Sequence, residues 1–247
     1  MTAAQAQHRV PPRAVRMRTV VEVVARRGPG GRTVLPIIRA TGALAVRRTG
    51  EHRIHLVATL FGPLGGDATV IQLCIEEGAQ LEVCSVAASV CLPSWEPAPS
   101  SAELSAEVAD DARLDLLLEP TIVAAGAEHR SRTDVGLSGT AQLRVVERVV
   151  LGRHAEEPGR WTGTTRVERD GLPVLHATVE LGPGSPMWRA PTTARAYATS
   201  LLLDSRAVAT SRTGVDALLL PLAGGSVSTA WGERLDDVVA TLNRLGT

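Results

Sequence analysis

Three times along the middle of the chain, a short turn feeds a strand of the same design. Glu77-Gly78-Ala79-Gln80-Leu81-Glu82-Val83 recurs as Asp110-Asp111-Ala112-Arg113-Leu114-Asp115-Leu116, and again as Gly139-Thr140-Ala141-Gln142-Leu143-Arg144-Val145. In each copy aliphatic and polar residues alternate after the turn, the period of a strand with one buried face. The alanines stand 33 and then 29 residues apart, and a unit of about 30 residues holds two or three strands with their turns. Such a chain grows by extending sheets, without βαβ alternation. Matches this short also arise by coincidence wherever turns feed strands. The expected architecture is mainly β: stacked antiparallel hairpins or sheets in one large domain over residues 15–247, with a C-terminal α-helix and a disordered lead at residues 1–14.

The flanking segments agree with that class. Val15 to Arg27 is rich in β-branched residues and stops at the turn Gly28-Pro29-Gly30-Gly31. Extended chain follows from Thr33 to Arg48, interrupted at Pro36 and Gly42, then alternating strands at Ile54–Phe61 and Ala68–Glu76. Asp170-Gly171 is a hairpin turn between Thr162–Arg169 and Val174–Leu181. Gly182 to Pro191 reads as loop, Arg195–Leu203 as strand and Ala217–Leu222 as a buried apolar run. After Gly232, Leu235, Val238, Val239, Leu242 and Leu245 fall at helical spacing, and Gly246 suits a helix stop.

One stretch breaks the apolar rule. Leu114, Leu116 and Leu118 share a face, then Glu119 precedes Pro120, which holds Glu119 extended and removes the next ladder donor. Ala124-Ala125-Gly126-Ala127 follows, small enough for backbone to pass close to another group. The next strand puts Glu128, Arg130, Arg132 and Asp134 on one face and His129, Ser131, Thr133 and Val135 on the other. Unpaired buried charge is expensive. This strand is therefore solvated, as antiparallel sheets often are on one face, or paired with Glu119 and its neighbours, or lining a wet internal space or an interface.

Composition removes whole classes of chemistry. Acidic and basic residues balance at 26 each, which favours neither nucleic acid nor an anionic membrane. All basic residues are arginine; without lysine there is no P-loop lysine, pyridoxal Schiff base or lysine general base. Aromatic residues are Phe61, Tyr197 and four tryptophans, too few for stacked single-stranded nucleic acid. Cys74, Cys84 and Cys91 form no CxxC pair, and an odd number argues against a disulfide framework. The N-terminal residues lack the apolar segment of a signal peptide, and no window approaches a membrane span. A soluble, cytoplasmic protein is expected.

Individual motifs carry little catalysis. Gly62 to Asp67 lies between two strands with no helix to supply an N-terminal anion site, so it reads as a glycine turn secured by Asp67. There is no GxSxG. His52 and His55 fall on opposite faces of a strand start, poor geometry for shared ligation. A weak, transient metal contact through His129, Cys84 or Asp67 stays open; a closed metal site is not expected.

An ordered set of segments nevertheless resembles one family. LGGD at 64–67, EGAQLEV at 77–83, EPTI at 119–122, AGAEHRSRT at 125–133 and ERVVLGRHAEE at 147–157 are similar in order and spacing to the urease accessory protein UreD, called UreH in some bacteria, over residues 15–190. The resemblance implies a β-rich, non-catalytic scaffold with a C-terminal helix. It also implies partners, UreF, UreG (the nickel-carrying GTPase) and apo-urease, and nickel passing to the urease active site, with no tightly bound cofactor. Gly65, Gly66, Asp67, Glu119, Pro120, Thr121, Gly126 and Arg132 match the family pattern, and the resemblance makes them structural or interface residues. Asp67, Glu119 and His129 are candidates for a transient nickel route. The chain departs from the pattern at Phe61-Gly62-Pro63-Leu64 and at Ser85–Cys91, where a lysine and an aromatic ring are missing. Two other readings remain at this point: a β-fold hydrolase or lyase with Glu119 and Asp67 as an acid/base pair, and a plain oligomeric β binding protein.

Overall fold

The computed structural model describes residues 16–186, 194–204, 211–214 and 216–245. The proposed lead at 1–14, the second half of the Gly182–Pro191 loop and the Gly246 stop lie outside them. The first strands are β1 (Arg18–Arg27), β2 (Thr33–Thr41), β3 (Leu44–Arg48), β4 (Arg53–Ala58), β5 (Ala68–Ile75) and β6 (Gln80–Ser85). Then come β7 (Ser89–Cys91), β8 (Ser100–Val108), β9 (Arg113–Leu117), β10 (Thr121–Val123), β11 (Glu128–Leu137) and β12 (Gln142–Leu151). The chain continues through β13 (Arg160–Arg169), β14 (Leu172–Leu181), β15 (Ala196–Leu203), β16 (Arg212–Thr213), β17 (Ala217–Leu222) and β18 (Gly225–Gly232), and ends in α1 (Leu235–Leu245).

Two large sheets face each other. One has the order β14-β13-β11-β8-β5-β1-β2; the other runs β16-β17-β18-β15-β12-β9-β6-β4-β3. Through the middle of the molecule the chain alternates between them, β4, β5, β6, β8, β9, β11, β12, β13. Each strand therefore lies beside the one a full circuit earlier, and these neighbours are parallel. The mainly β class and the C-terminal helix are as expected. The stacked antiparallel hairpins are corrected: antiparallel pairing is confined to the flanks, at β1-β2, β3-β4, β13-β14 and the β12-β15-β18-β17-β16 extension. A parallel pair needs a long crossover, and here each crossover is itself a strand of the opposite sheet. A unit of about 30 residues fits one such circuit as well as a hairpin set, so length alone did not separate the two.

The repeat is the circuit. Leu81, Leu114 and Leu143 are register partners, as are Val83, Leu116 and Val145. Arg113 N donates to Ala79 O (2.9 Å), and Gln142 N donates to Ala112 O (2.8 Å). Ala79, Ala112 and Ala141 are all buried, which is why each copy has a small residue at the corner. The inward aliphatic side chains of both sheets merge into one core from Val21 to Leu203. At roughly 25 cal/mol per Å² of apolar surface, such burial dominates the stability of a chain with few rings.

A second apolar cluster lies under the short strands. β10 sits parallel to β7 and to the end of β12, and beneath them Cys91, Val123, Val149, Leu151, Trp161 and Tyr197 pack together. The Trp161 and Tyr197 rings are 5.7 Å apart. Close backbone approach occurs here, as the run of small residues at 124–127 suggested, but another glycine permits it. A Cβ on Gly159 would lie 2.4 Å from the Ala124 carbonyl oxygen. At Gly126 itself the nearest atom to a Cβ would be Pro93 Cβ at 3.9 Å, so glycine is favoured there by its φ of +71°, not by crowding. The helix α1 buries Val238 and Leu242 on a third cluster with Ala196, Ala198, Ala217 and Ala230, as its apolar spacing required.

Candidate functional site

Between the main core and the cluster under β10, polar side chains enter an otherwise apolar interior. A cavity of about 100 Å³ is lined from β8 and β11 on one side and from β9, β10 and β12 on the other. That is room for roughly three waters. The inward residues of β11 at this point are His129, Ser131 and Thr133, so the alternation seen in the sequence holds. The opposite face is neutralised locally: Arg130 binds Glu128 (2.9 Å), and Arg132 binds Asp134. This strand thus turns its charged face to solvent and its uncharged polar residues to the cavity.

The residue that sequence reasoning missed is Glu147. In β12, Leu143, Val145 and Val149 point inward and are buried; the same period sends Glu147 inward too. A carboxyl in an apolar register was a visible signal. Glu147 is enclosed by protein yet keeps accessible surface, because the surface it faces is the cavity. Ser131 Oγ donates to its Oε1 at 2.9 Å. Among the described residues it has no basic ion-pair partner within 4 Å. Burial pushes its carboxyl up to about 7, with the Ser131 hydrogen bond opposing. The Tyr197 phenol is also held above its ordinary range, first by burial and then by the Glu147 charge, against hydrogen bonds with Thr199 and Thr229.

His129 is 3% exposed, with Nδ1 2.9 Å from Ser100 Oγ. Burial takes its imidazole down to about 4, so at neutral pH it presents an uncharged ring. Glu119 also lines the cavity, with Glu119 Oε1 3.8 Å from Arg148 Nη2; Arg148 Nη2 donates to Leu118 O at 2.8 Å. The ion-pair partner of Glu119 is thus Arg148, not an arginine of β11. Arg148 Nε is buried without a hydrogen-bond partner. Thr121 and Arg132 complete the sequence-nominated residues at the cavity.

Asp67 does not line the cavity. Its Oδ1 accepts from Met17 N (2.8 Å) and its Oδ2 from Leu64 N (2.9 Å), so the carboxylate clamps its own turn to the start of β1. Gly65 N donates to Leu92 O and Gly66 N to Pro99 O; a Cβ on Gly65 would lie 2.6 Å from Ala98 O. Pro120 O accepts from Ser89 N, and Gly126 turns the chain between β10 and β11. Cys84 donates to Glu82 at 3.3 Å, away from His129, and burial raises its thiol to about 11. Among the described residues no three His, Cys, Asp or Glu side chains converge to hold a metal. None of their helices is long and apolar enough to cross a membrane.

Fold and cavity together define a coiled β protein of two facing sheets with a small, largely apolar chamber between them into which a few polar and ionisable side chains project. The family model of the UreD urease accessory protein matches residues 17–235. A urease accessory protein UreD of Streptomyces coelicolor is 40% identical, over 69% of this chain and 68% of its own length. One from Frankia alni is 36% identical, over 98% of this chain and 95% of its own. A third, UreD 2 of Saccharopolyspora erythraea, is 29% identical over 92% and 86%. The chain belongs to the UreD urease accessory protein family.

Proposed function

We propose that this chain is a non-catalytic scaffold in the cytoplasm that assists nickel insertion into apo-urease, working with UreF and UreG, and that nickel passes through the chamber between its sheets. The observation that supports this best is Glu147: an inward carboxyl with a hydroxyl neighbour and, among the described residues, no basic ion-pair partner within 4 Å, where an apolar residue would serve the fold better. A borderline divalent ion in transit needs oxygen and nitrogen groups that hold it weakly, since a closed site would trap it. Glu147, Ser131, Thr133, neutral His129 and, nearer the surface, Glu119 are groups of that kind. Asp67 leaves the route and keeps a structural role. The acid/base reading loses its pair, since both oxygens of Asp67 are engaged by backbone amides and Glu119 sits by Arg148.

The test is reconstitution of apo-urease with the accessory proteins, comparing this chain with its Glu147→Gln variant. The expected result is intact complex assembly with reduced nickel content and urease activity. Full nickel loading by the variant would refute the route; loss of assembly in step with activity would refute it for this residue as well.

A further inference from the structure

Ser100 in β8 and His129 in β11 are register partners, and their side chains leave the same inward face of the sheet. Ser100 is 1% exposed and His129 3%, so bulk water satisfies neither. Ser100 Oγ lies 2.9 Å from His129 Nδ1 and 3.4 Å from Glu128 O. The buried Cys91 thiol is its third neighbour: burial pushes that thiol up to about 12, with a hydrogen bond to Ser100 opposing.

An uncharged imidazole has one ring proton, and the position of that proton decides what the other nitrogen offers. Ser100 has one proton to donate and two lone pairs to offer. With the ring proton on Nδ1, the imidazole donates to Ser100 Oγ, and the hydroxyl donates to Glu128 O. The second lone pair of Ser100 accepts from the Cys91 thiol, which is protonated at neutral pH. Each of these groups then has a partner. With the ring proton on Nε2, the Ser100 hydroxyl must donate to Nδ1, and Glu128 O loses that donor. His129 lines the chamber with Nδ1 turned to Ser100, which leaves Nε2 as the nitrogen on the chamber side. Among the described residues Nε2 has no hydrogen-bond partner. A buried N–H without an acceptor is rarer in folded proteins than an acceptor without a donor, so the Nδ1–H form is favoured on both sides of the ring.

We propose that Ser100 is a positioning residue that holds His129 as the Nδ1–H tautomer, so that Nε2 turns its lone pair into the chamber as the nitrogen donor for the ion in transit. This rests on the transit reading and adds selectivity to it. The oxygens of Glu147, Ser131 and Thr133 suit magnesium and calcium as well as nickel, whereas an imidazole nitrogen favours nickel, cobalt and zinc. A histidine whose second nitrogen is hydrogen-bonded is fixed in both tautomer and ring orientation.

Nitrogen-15 NMR of the histidine rings in the full chain reads the tautomer with neither metal nor urease present. The His129 signal, identified by its absence from His129→Gln, is expected to show a protonated Nδ1 and an unprotonated Nε2. Added nickel, which is paramagnetic, broadens the signals of that ring, and an excess of magnesium does not reverse the effect. In Ser100→Ala the two tautomers mix, and the nickel concentration for half-broadening rises about tenfold. A protonated Nε2 in the wild type overturns the proposal, and that spectrum decides the tautomer even if Ser100→Ala fails to fold. So does a His129 ring that nickel leaves unchanged, or a Ser100→Ala chain with the wild-type tautomer and nickel response. The two readings fail separately. Normal nickel delivery by Glu147→Gln beside the expected His129 spectra ends the route and leaves the role of Ser100 standing. A protonated Nε2 beside impaired delivery by Glu147→Gln keeps the route and removes the His129 nitrogen from it.

Discussion

Glu147→Gln changes stability in a direction that depends on pH, and the size follows from the structure. In the folded chain the carboxyl is held at about 7 against an ordinary 4.5. Between these values the folded state keeps a proton that the unfolded state has released, so this group makes stability fall as pH rises. Each pH unit in that window is worth ~1.4 kcal/mol, which puts the cost of ionised Glu147 at about 3 kcal/mol by pH 8. Glutamine keeps the shape and still accepts from Ser131. The variant is therefore expected to match the wild type near pH 4.5 and to exceed it by about 3 kcal/mol at pH 8. His129 acts oppositely: held at about 4 against 6.5, it takes stability away as pH falls through that window. The wild-type profile is consequently flat between about pH 4.5 and 6.5, where the two slopes offset. Subtracting variant from wild type isolates Glu147. Urea unfolding of both proteins at pH 5, 6.5 and 8 measures the difference. A constant difference across that range refutes the claim that an enclosed carboxyl without a basic partner lies at this position. A more stable variant that delivers less nickel would mark Glu147 as a residue retained for function at a cost to folding.

Other perturbations separate structure from transit. Gly159→Ala forces a Cβ toward Ala124 O and should cost about 2–4 kcal/mol, whereas Gly126→Ala meets only the backbone penalty of about 1–2 kcal/mol; urea midpoints that rank the other way refute the packing described for 123–159. Asp67→Ala removes the acceptor for Met17 N and Leu64 N and should lower stability by about 2 kcal/mol; unchanged melting would return Asp67 to the list of route residues. Glu119→Gln loosens a part-exposed contact worth at most about 1 kcal/mol, so assembly should hold and nickel loading should drop less than in Glu147→Gln. A larger drop at Glu119 would shift the decisive group from the chamber to its mouth.

The sequence alone established the β class, the C-terminal helix, the turn after Arg169 and the two-faced character of β11. These are local matters: period-2 alternation, glycine and proline at turns, and apolar spacing over one helix face are set by residues near in sequence. It also carried the repeat, and Ala79, Ala112 and Ala141 do stack in register. What it did not determine is which strand pairs with which. A hairpin and a circuit through the opposite sheet place the same alternation on the same number of residues, and only long-range packing selects the parallel coil. The same limit applied to the site. Glu119 and His129 stood out by their local surroundings, and both line the chamber; Asp67 stood out likewise and was claimed by two backbone amides. Glu147 stood in the apolar register of its strand and was not singled out; what it does there depends on β11 bringing Ser131 to it across the interior. Burial, and with it the upward push on that carboxyl, is a property of the assembled sheets rather than of the residues beside it.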